Sequence, residues 1–206
     1  MNWKGRKEEA RQELGLEENR NTVLVMGGSR GSEIINTNFL ETKDWLKEKG
    51  WQVIHITGEE DFQRVKKLVD RFSFPYIVYP FVSQPGIVYA AADLAITRAG
   101  ANTVFELLWF NLPSIVIPYG KAADNHQLYN ALWLEKQGLA RVIEERNLTP
   151  LLLIEQMEKI LASSSCVFSD LKGEYLKESA SQIAQTIIEE LKRGKGIGQQ
   201  HTSIIP

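Results

Sequence analysis

Short apolar runs rich in β-branched residues recur along the chain, each closed by a turn signal and followed by a helical period. TVLVMG (22–27), WQVIHIT (51–57), PYIVYPF (75–81), DLAIT (93–97) and PSIVIPY (113–119) read as five strands, and LARVI (139–143) as a sixth. Between them lie helical stretches: one from the loop after the first strand through Lys49, then 61–72, 86–92, 102–110 and 125–137, with closing helices over 150–162 and 168–192. The strands are apolar throughout rather than alternating, so both faces of the sheet are expected to be covered. Strand–helix alternation then predicts an α/β fold with a doubly wound, Rossmann-like parallel sheet. A charged segment over 5–16, stopped by Gly15, reads as a lead-in helix outside the core. The expected division is a linker over 1–20, one domain over 21–192 and a flexible tail over 193–206.

Composition narrows the partners. A chain of 206 residues holds one α/β domain comfortably and two only if cramped. Its formal charge of −2 carries no basic excess for nucleic acid. Cys166 is the single cysteine, which excludes an intramolecular disulfide and any multi-cysteine metal site. No apolar run approaches the ~20 residues of a membrane span, so the chain reads as soluble and cytoplasmic.

In a doubly wound sheet ligands bind beyond the carboxyl ends of the strands, which makes three loops candidates. GGSRGS (27–32) joins strand to helix; Gly28 and Gly31 allow close backbone approach to an anion, Ser29 offers a hydroxyl and the helix N-terminus a partial positive charge. It is neither a P-loop nor GxGxxG, and a plain tight turn is the alternative. TRAGANTVFE (97–106) places Gly100 at a second strand-to-helix turn, with Asn102 or Thr103 expected to cap the helix. Glu106 then lies about one turn in, either accepting from a sugar cis-diol or serving as a capping-box glutamate for its own helix. The third loop, PYGKAADNHQ (118–127), brings His126 and Gln127 into the first turn of the next helix, suited to sugar hydroxyls or phosphate oxygens. His55 and His201 are too distant in sequence to complete a metal set, and no Ser/His/Asp order or carboxylate pair stands out. The chain is equipped to hold a nucleotide-like molecule, with no catalytic residue, metal site or cofactor of its own.

VLVMGGSRGSEIIN, YPFVSQPGIVYAAADLAITRAGANTVFELLWFNLPSIVIPY and DNHQLYNALWLEKQGLARVI, in this order and spacing, resemble the carboxyl-terminal half of the MurG family, from about Lys7 to Ala162. The family transfers N-acetylglucosamine from its UDP ester to undecaprenyl-pyrophosphoryl muramoyl pentapeptide, turning lipid I into lipid II. The resemblance implies one half of a GT-B fold, the half that holds UDP-N-acetylglucosamine. By motif, Ser29 resembles the residue on the phosphate side of the ligand, and Val82 the position whose backbone reads uracil. The stretch from Ala101 to Glu106 resembles the phosphate and ribose loop, and Gln127 with His126 the pair that meets the sugar. Arg30 stands where the family often has glutamine, and Asn102 and Phe105 occupy variable positions. The family's amino-terminal domain, with its base and membrane-facing patch, has no counterpart in the sequence. The implied partner is therefore an acceptor domain or a separate acceptor subunit, which would bring the lipid-linked acceptor and seat the pair at the inner membrane face. By resemblance, the dolichol-linked chitobiose enzyme offers a precedent for a split pair. A non-catalytic nucleotide-sugar module is the alternative from another class, and the missing GxGxxG disfavours a dehydrogenase-type domain.

Overall fold

In a computed structural model the structure describes residues 3–120 and 125–163. Cys166, Lys121, Asp124, the expected closing helix over 168–192 and the tail fall outside them. The strands are β1 (Thr22–Met26), β2 (Gln52–Ile56), β3 (Tyr76–Tyr79), β4 (Leu94–Thr97), β5 (Ser114–Val116) and β6 (Ala140–Val142). They form one six-stranded sheet in the order β3-β2-β1-β4-β5-β6, with every pairing parallel. The register places Val23 beside both Val53 and Leu94, so β1 is central and the order reverses between β1 and β4. That is the doubly wound order, and the reversal is its topological switch point.

The helices are α1 (Lys7–Glu13), α2 (Glu33–Leu40), α3 (Lys43–Glu48), α4 (Phe62–Val69), α5 (Gly86–Ala91), α6 (Ala101–Phe110), α7 (His126–Lys136) and α8 (Pro150–Ser163). The strands supply the centre of the core through Val23, Val25, Val53, Ile96 and Ile115, all fully buried. Phe39 of α2 and Met157 of α8 close over them. The single helix expected through Lys49 is two. Thr42 turns its hydroxyl back to the Phe39 carbonyl at 2.7 Å, a local bond that competes with the helical ladder and separates α2 from α3. Strand β5 is shorter than its apolar run because Pro113 and Pro118, which lack an N–H, bracket it.

The amino-terminal segment packs more closely than its charge suggests. Trp3, Ala10 and Leu16 are buried, and α1 lies against α5. Arg11 donates to the Ala91 carbonyl at 2.9 Å and to Asp93 at 2.5 Å, while Lys7 and the Thr22 amide also donate to Asp93. A carboxylate at the entrance to β4 thus draws Lys7 and Arg11 of this helix onto the domain. The expectation of a lead-in helix outside the core is corrected here.

A buried polar chain ties α2 to β2 and β3. Tyr76 Oη lies 2.8 Å from His55 Nδ1, His55 Nε2 lies 2.9 Å from Asn36 Oδ1, and Asn36 Nδ2 donates to Thr57 O and Asp61 Oδ2. Asn36 donates through its nitrogen, so its oxygen must accept from His55 Nε2–H, which leaves Nδ1 to accept from the phenol. The bond from the phenol to Nδ1 requires a neutral imidazole. Burial pushes the His55 pKa down to about 3, Asp61 opposing and Arg64 assisting.

Candidate functional site

At the switch point the loops after β1 and β4 part around a cleft of about 760 Å³, a size suited to a nucleotide-scale ligand. One wall is the glycine loop with Gly28, Ser29, Arg30 and Gly31; the other is the start of α6 with Gly100, Ala101, Asn102 and Thr103. Gln127 and Tyr119 enter from the loop after β5. The structure therefore assembles nine of the twelve sequence candidates. Glu106, Val82 and His126 stand outside the lining: Glu106 is half-buried farther along α6, Val82 half-buried in the loop after β3, and His126 exposed.

Both α2 and α6 direct their first turns at this cleft, and neither has a side-chain cap. Unpaired N–H groups and the helix dipole make such an arrangement receptive to an anion. The caps differ from expectation. Gly100 is the N-cap of α6, so Asn102 and Thr103 lie inside the helix and cap nothing. Glu106 falls six residues after that N-cap, whereas a capping box needs its glutamate at the third, so the capping role is ruled out. Ser32 precedes α2, but its hydroxyl accepts from Arg98 at 2.7 Å instead of bonding its own helix.

The glycines have different reasons for being there. A Cβ on Gly31 would sit 2.0 Å from the Thr57 carbonyl oxygen, because the loop after β1 runs backbone to backbone against Thr57–Gly58. Gly31 is thus required by packing between two loops. Gly100 has an ordinary φ of −63°, and its Cβ would meet only Thr103 Oγ1 at 3.8 Å. Nothing in the protein forbids a side chain there. Gly100→Ala is expected to leave stability within about 1 kcal/mol, a small entropy gain offsetting a weaker N-cap. It should weaken nucleotide binding in the cleft about tenfold, or 1.4 kcal/mol, by placing a methyl on the cleft wall. Thermal melts and calorimetric titration check the two halves of that expectation.

Sequence reasoning missed Arg98. It directly follows β4, is 7% exposed, and donates to Ile117 O at 3.2 Å, Pro118 O at 3.3 Å and Ser32 Oγ. It also ion-pairs with Glu145 and lies 5.3 Å from the centre of the Tyr119 ring. One guanidinium therefore braces the loops after β1, β5 and β6. The available signal was an arginine at the carboxyl end of an apolar strand, where a charge needs partners to be buried. Gln127 acts similarly on the loop after β4. Its Oε1 accepts from the Tyr119 amide at 2.9 Å and the Ala99 amide at 3.4 Å, while Asn130 donates to the Ala99 carbonyl at 3.0 Å. With its oxygen committed to backbone, the Gln127 side chain has only N–H groups to present.

A doubly wound sheet with a cleft at its switch point defines a Rossmann-like α/β domain, and solved glycosyltransferases share that fold. A Rickettsia africae glycosyltransferase superposes over 95% of this chain and 52% of its own, with TM-score 0.68 at 13% identity, a likeness of fold alone. The chain belongs to the glycosyltransferase family 28 C-terminal domain, which it matches over residues 22–187. Acinetobacter baumannii MurG is similar in structure over 74% of this chain and 44% of its own, with TM-score 0.64 and 26% identity. Two relatives named as the N-acetylglucosamine transferase of N-acetylmuramyl-(pentapeptide) pyrophosphoryl-undecaprenol come from Caldanaerobacter subterraneus and Thermodesulfovibrio yellowstonii. The first is 36% identical over 88% of this chain and 49% of its own length, the second 40% over 76% and 43%. The chain spans about half the length of the curated relatives it matches. Among the described residues no helix is long and apolar enough to cross a membrane.

Proposed function

We propose that this chain is the donor-binding half of an inverting N-acetylglucosaminyltransferase that converts lipid I to lipid II. The observation that carries the reading is the cleft between β1 and β4, where two helix N-termini, Ser29 and Arg30 converge. That arrangement suits the diphosphate of UDP-N-acetylglucosamine. As the acceptor hydroxyl attacks the anomeric carbon, negative charge grows on the departing UDP, and preorganised N–H groups stabilise it without a metal or cofactor. Glu106 accepts from the ribose hydroxyls, the Val82 backbone reads uracil, and Gln127, with His126, meets the sugar. We assign no catalytic residue to this chain. The base that deprotonates the acceptor comes from an amino-terminal acceptor domain or a separate acceptor subunit, which also brings the lipid-linked acceptor and holds the pair at the inner membrane face. The donor half alone is inactive.

Calorimetric titration tests the reading: UDP-N-acetylglucosamine and UDP bind and NAD does not. Silence toward UDP sinks it. Turnover only after an acceptor partner is added separates a transferase half from a non-catalytic nucleotide-sugar module. Glu106→Ala is expected to weaken UDP binding by about 1–3 kcal/mol, the scale of a hydrogen bond to a charged group, with little change in melting temperature. A fall in stability at unchanged UDP affinity returns Glu106 to a structural role.

A further inference from the structure

Tyr89 of α5 is 1% exposed, and its ring stacks on Phe110 of α6 with centroids 5.6 Å apart and planes 15° from parallel. Its hydroxyl is buried and closes no well-formed hydrogen bond among the described residues, although it lies within reach of the Glu106 and Thr103 side chains. Folded proteins rarely leave such a group unsatisfied, because desolvation without a partner is costly. Thr103, Glu106 and Phe110 are spaced three and four residues apart, which places them on one face of α6. Phe110 fixes that face as the one turned to Tyr89. Glu106 therefore shares the face turned to Tyr89, and its side chain acts on the phenol. Burial first, and then the negative charge of Glu106, raise the Tyr89 phenol well above its ordinary range, so it is a donor at any working pH. Thr103 opposes that shift and lies beside the same group.

We propose that Tyr89 is a positioning residue for Glu106: once a ribose diol engages the carboxylate, the phenol donates to the carboxylate's protein-facing side and fixes its plane. The inference rests on Glu106 as the ribose acceptor. A carboxylate offers about four lone-pair sites on two oxygens; a cis-diol occupies two and leaves room for a donor from the protein. The buried phenol lies beside Glu106 without a well-formed hydrogen bond, and a carboxylate fixed by the diol completes one. The phenol thereby couples ribose binding to the packing of α5 on α6.

Tyr89→Phe retains the stacked ring and deletes only the hydroxyl. Its melting temperature should stay close to that of the parent, because the lost group closes no well-formed hydrogen bond within the protein. Calorimetry should show UDP binding weakened about three- to tenfold. With 2′,3′-dideoxyuridine diphosphate, which cannot engage Glu106 through the ribose, parent and variant should agree within about twofold. Equal losses for both nucleotides, or a lower melting temperature at unchanged UDP affinity, overturn the proposal and leave Tyr89 as packing. If Glu106→Ala weakens UDP binding and Tyr89→Phe does not, the ribose reading stands and the positioning role falls. If Glu106→Ala has no effect on UDP, both fall.

Discussion

Between pH 6.5 and about 3 the folded chain should lose on the order of 4–5 kcal/mol of stability through one imidazole, His55. The sign follows from proton uptake. Below pH 6.5 an unfolded chain protonates its histidine, whereas the native ring stays neutral until about pH 3 because burial opposes the charge. The unfolded state therefore binds more protons throughout that window, and acid favours it. The groups facing the ring are Tyr76, Asn36 and Phe39, with Asp61 and Arg64 at the edge of the network. Asp61 adds to the trend. Burial pushes its pKa up, but hydrogen bonds from Arg64 and Asn36 outweigh that and hold it below the usual carboxylate range. Its share is present above the ordinary carboxylate pKa and is lost as pH falls through the lowered one. Denaturant melts of the parent and of His55→Gln at pH 7, 5.5 and 4.5 isolate the imidazole. The stability gap between the two proteins should shrink steadily as pH falls, and a gap constant with pH would assign the acid sensitivity elsewhere.

Arg98→Met should cost about 3 kcal/mol of stability and abolish nucleotide binding at concentrations that saturate the parent. The methionine fills much of the volume, but Glu145 loses its countercharge and Ser32 Oγ, Ile117 O and Pro118 O lose their donor. The figure is set at the low end for a broken buried pair because the Glu145 side chain keeps 27% exposure and is partly solvated. Arg98→Lys should recover part of the stability and little of the binding. An ammonium keeps the charge near Glu145 but lacks the planar fork that spans three loops. Denaturant midpoints and UDP titrations on both variants provide the check. An Arg98→Met protein as stable as the parent would show that the loops hold their places without the brace.

Which features were legible depended on how local their causes are. TVLVM, QVIHI and LAIT are β-branched or apolar runs whose own period declares them strands, and the alternation with helices declared a parallel sheet. The loops after β1, β4 and β5 were found because glycine and polar residues punctuate those runs. What escaped were facts that depend on the far side of the fold. Gly31 is a glycine because of Thr57, 26 positions away, and Arg98 is buried because Ser32 and Glu145 come to it from opposite directions in sequence. Arg11 looked like one charge in a solvated helix until Asp93, 82 residues on, gave it a partner. The capping role open to Glu106 needed Thr103 as the N-cap, and α6 instead takes Gly100, three residues earlier, which removes it.

The grip of α7 on Ala99 bears on how this site could change specificity. Gln127 and Asn130 hold both backbone polar groups of one residue, the amide and the carbonyl of Ala99, immediately before the turn at Gly100. On the proposed reading, a mutation at Gln127 intended to admit a different sugar would also loosen the turn assigned to the phosphates, so one substitution would alter selectivity and anchoring together. Lineages exploring new donors should therefore accumulate early changes at exposed wall positions with no such second duty. Glu33 and Ile34 on the first turn of α2 are exposed wall positions of this kind.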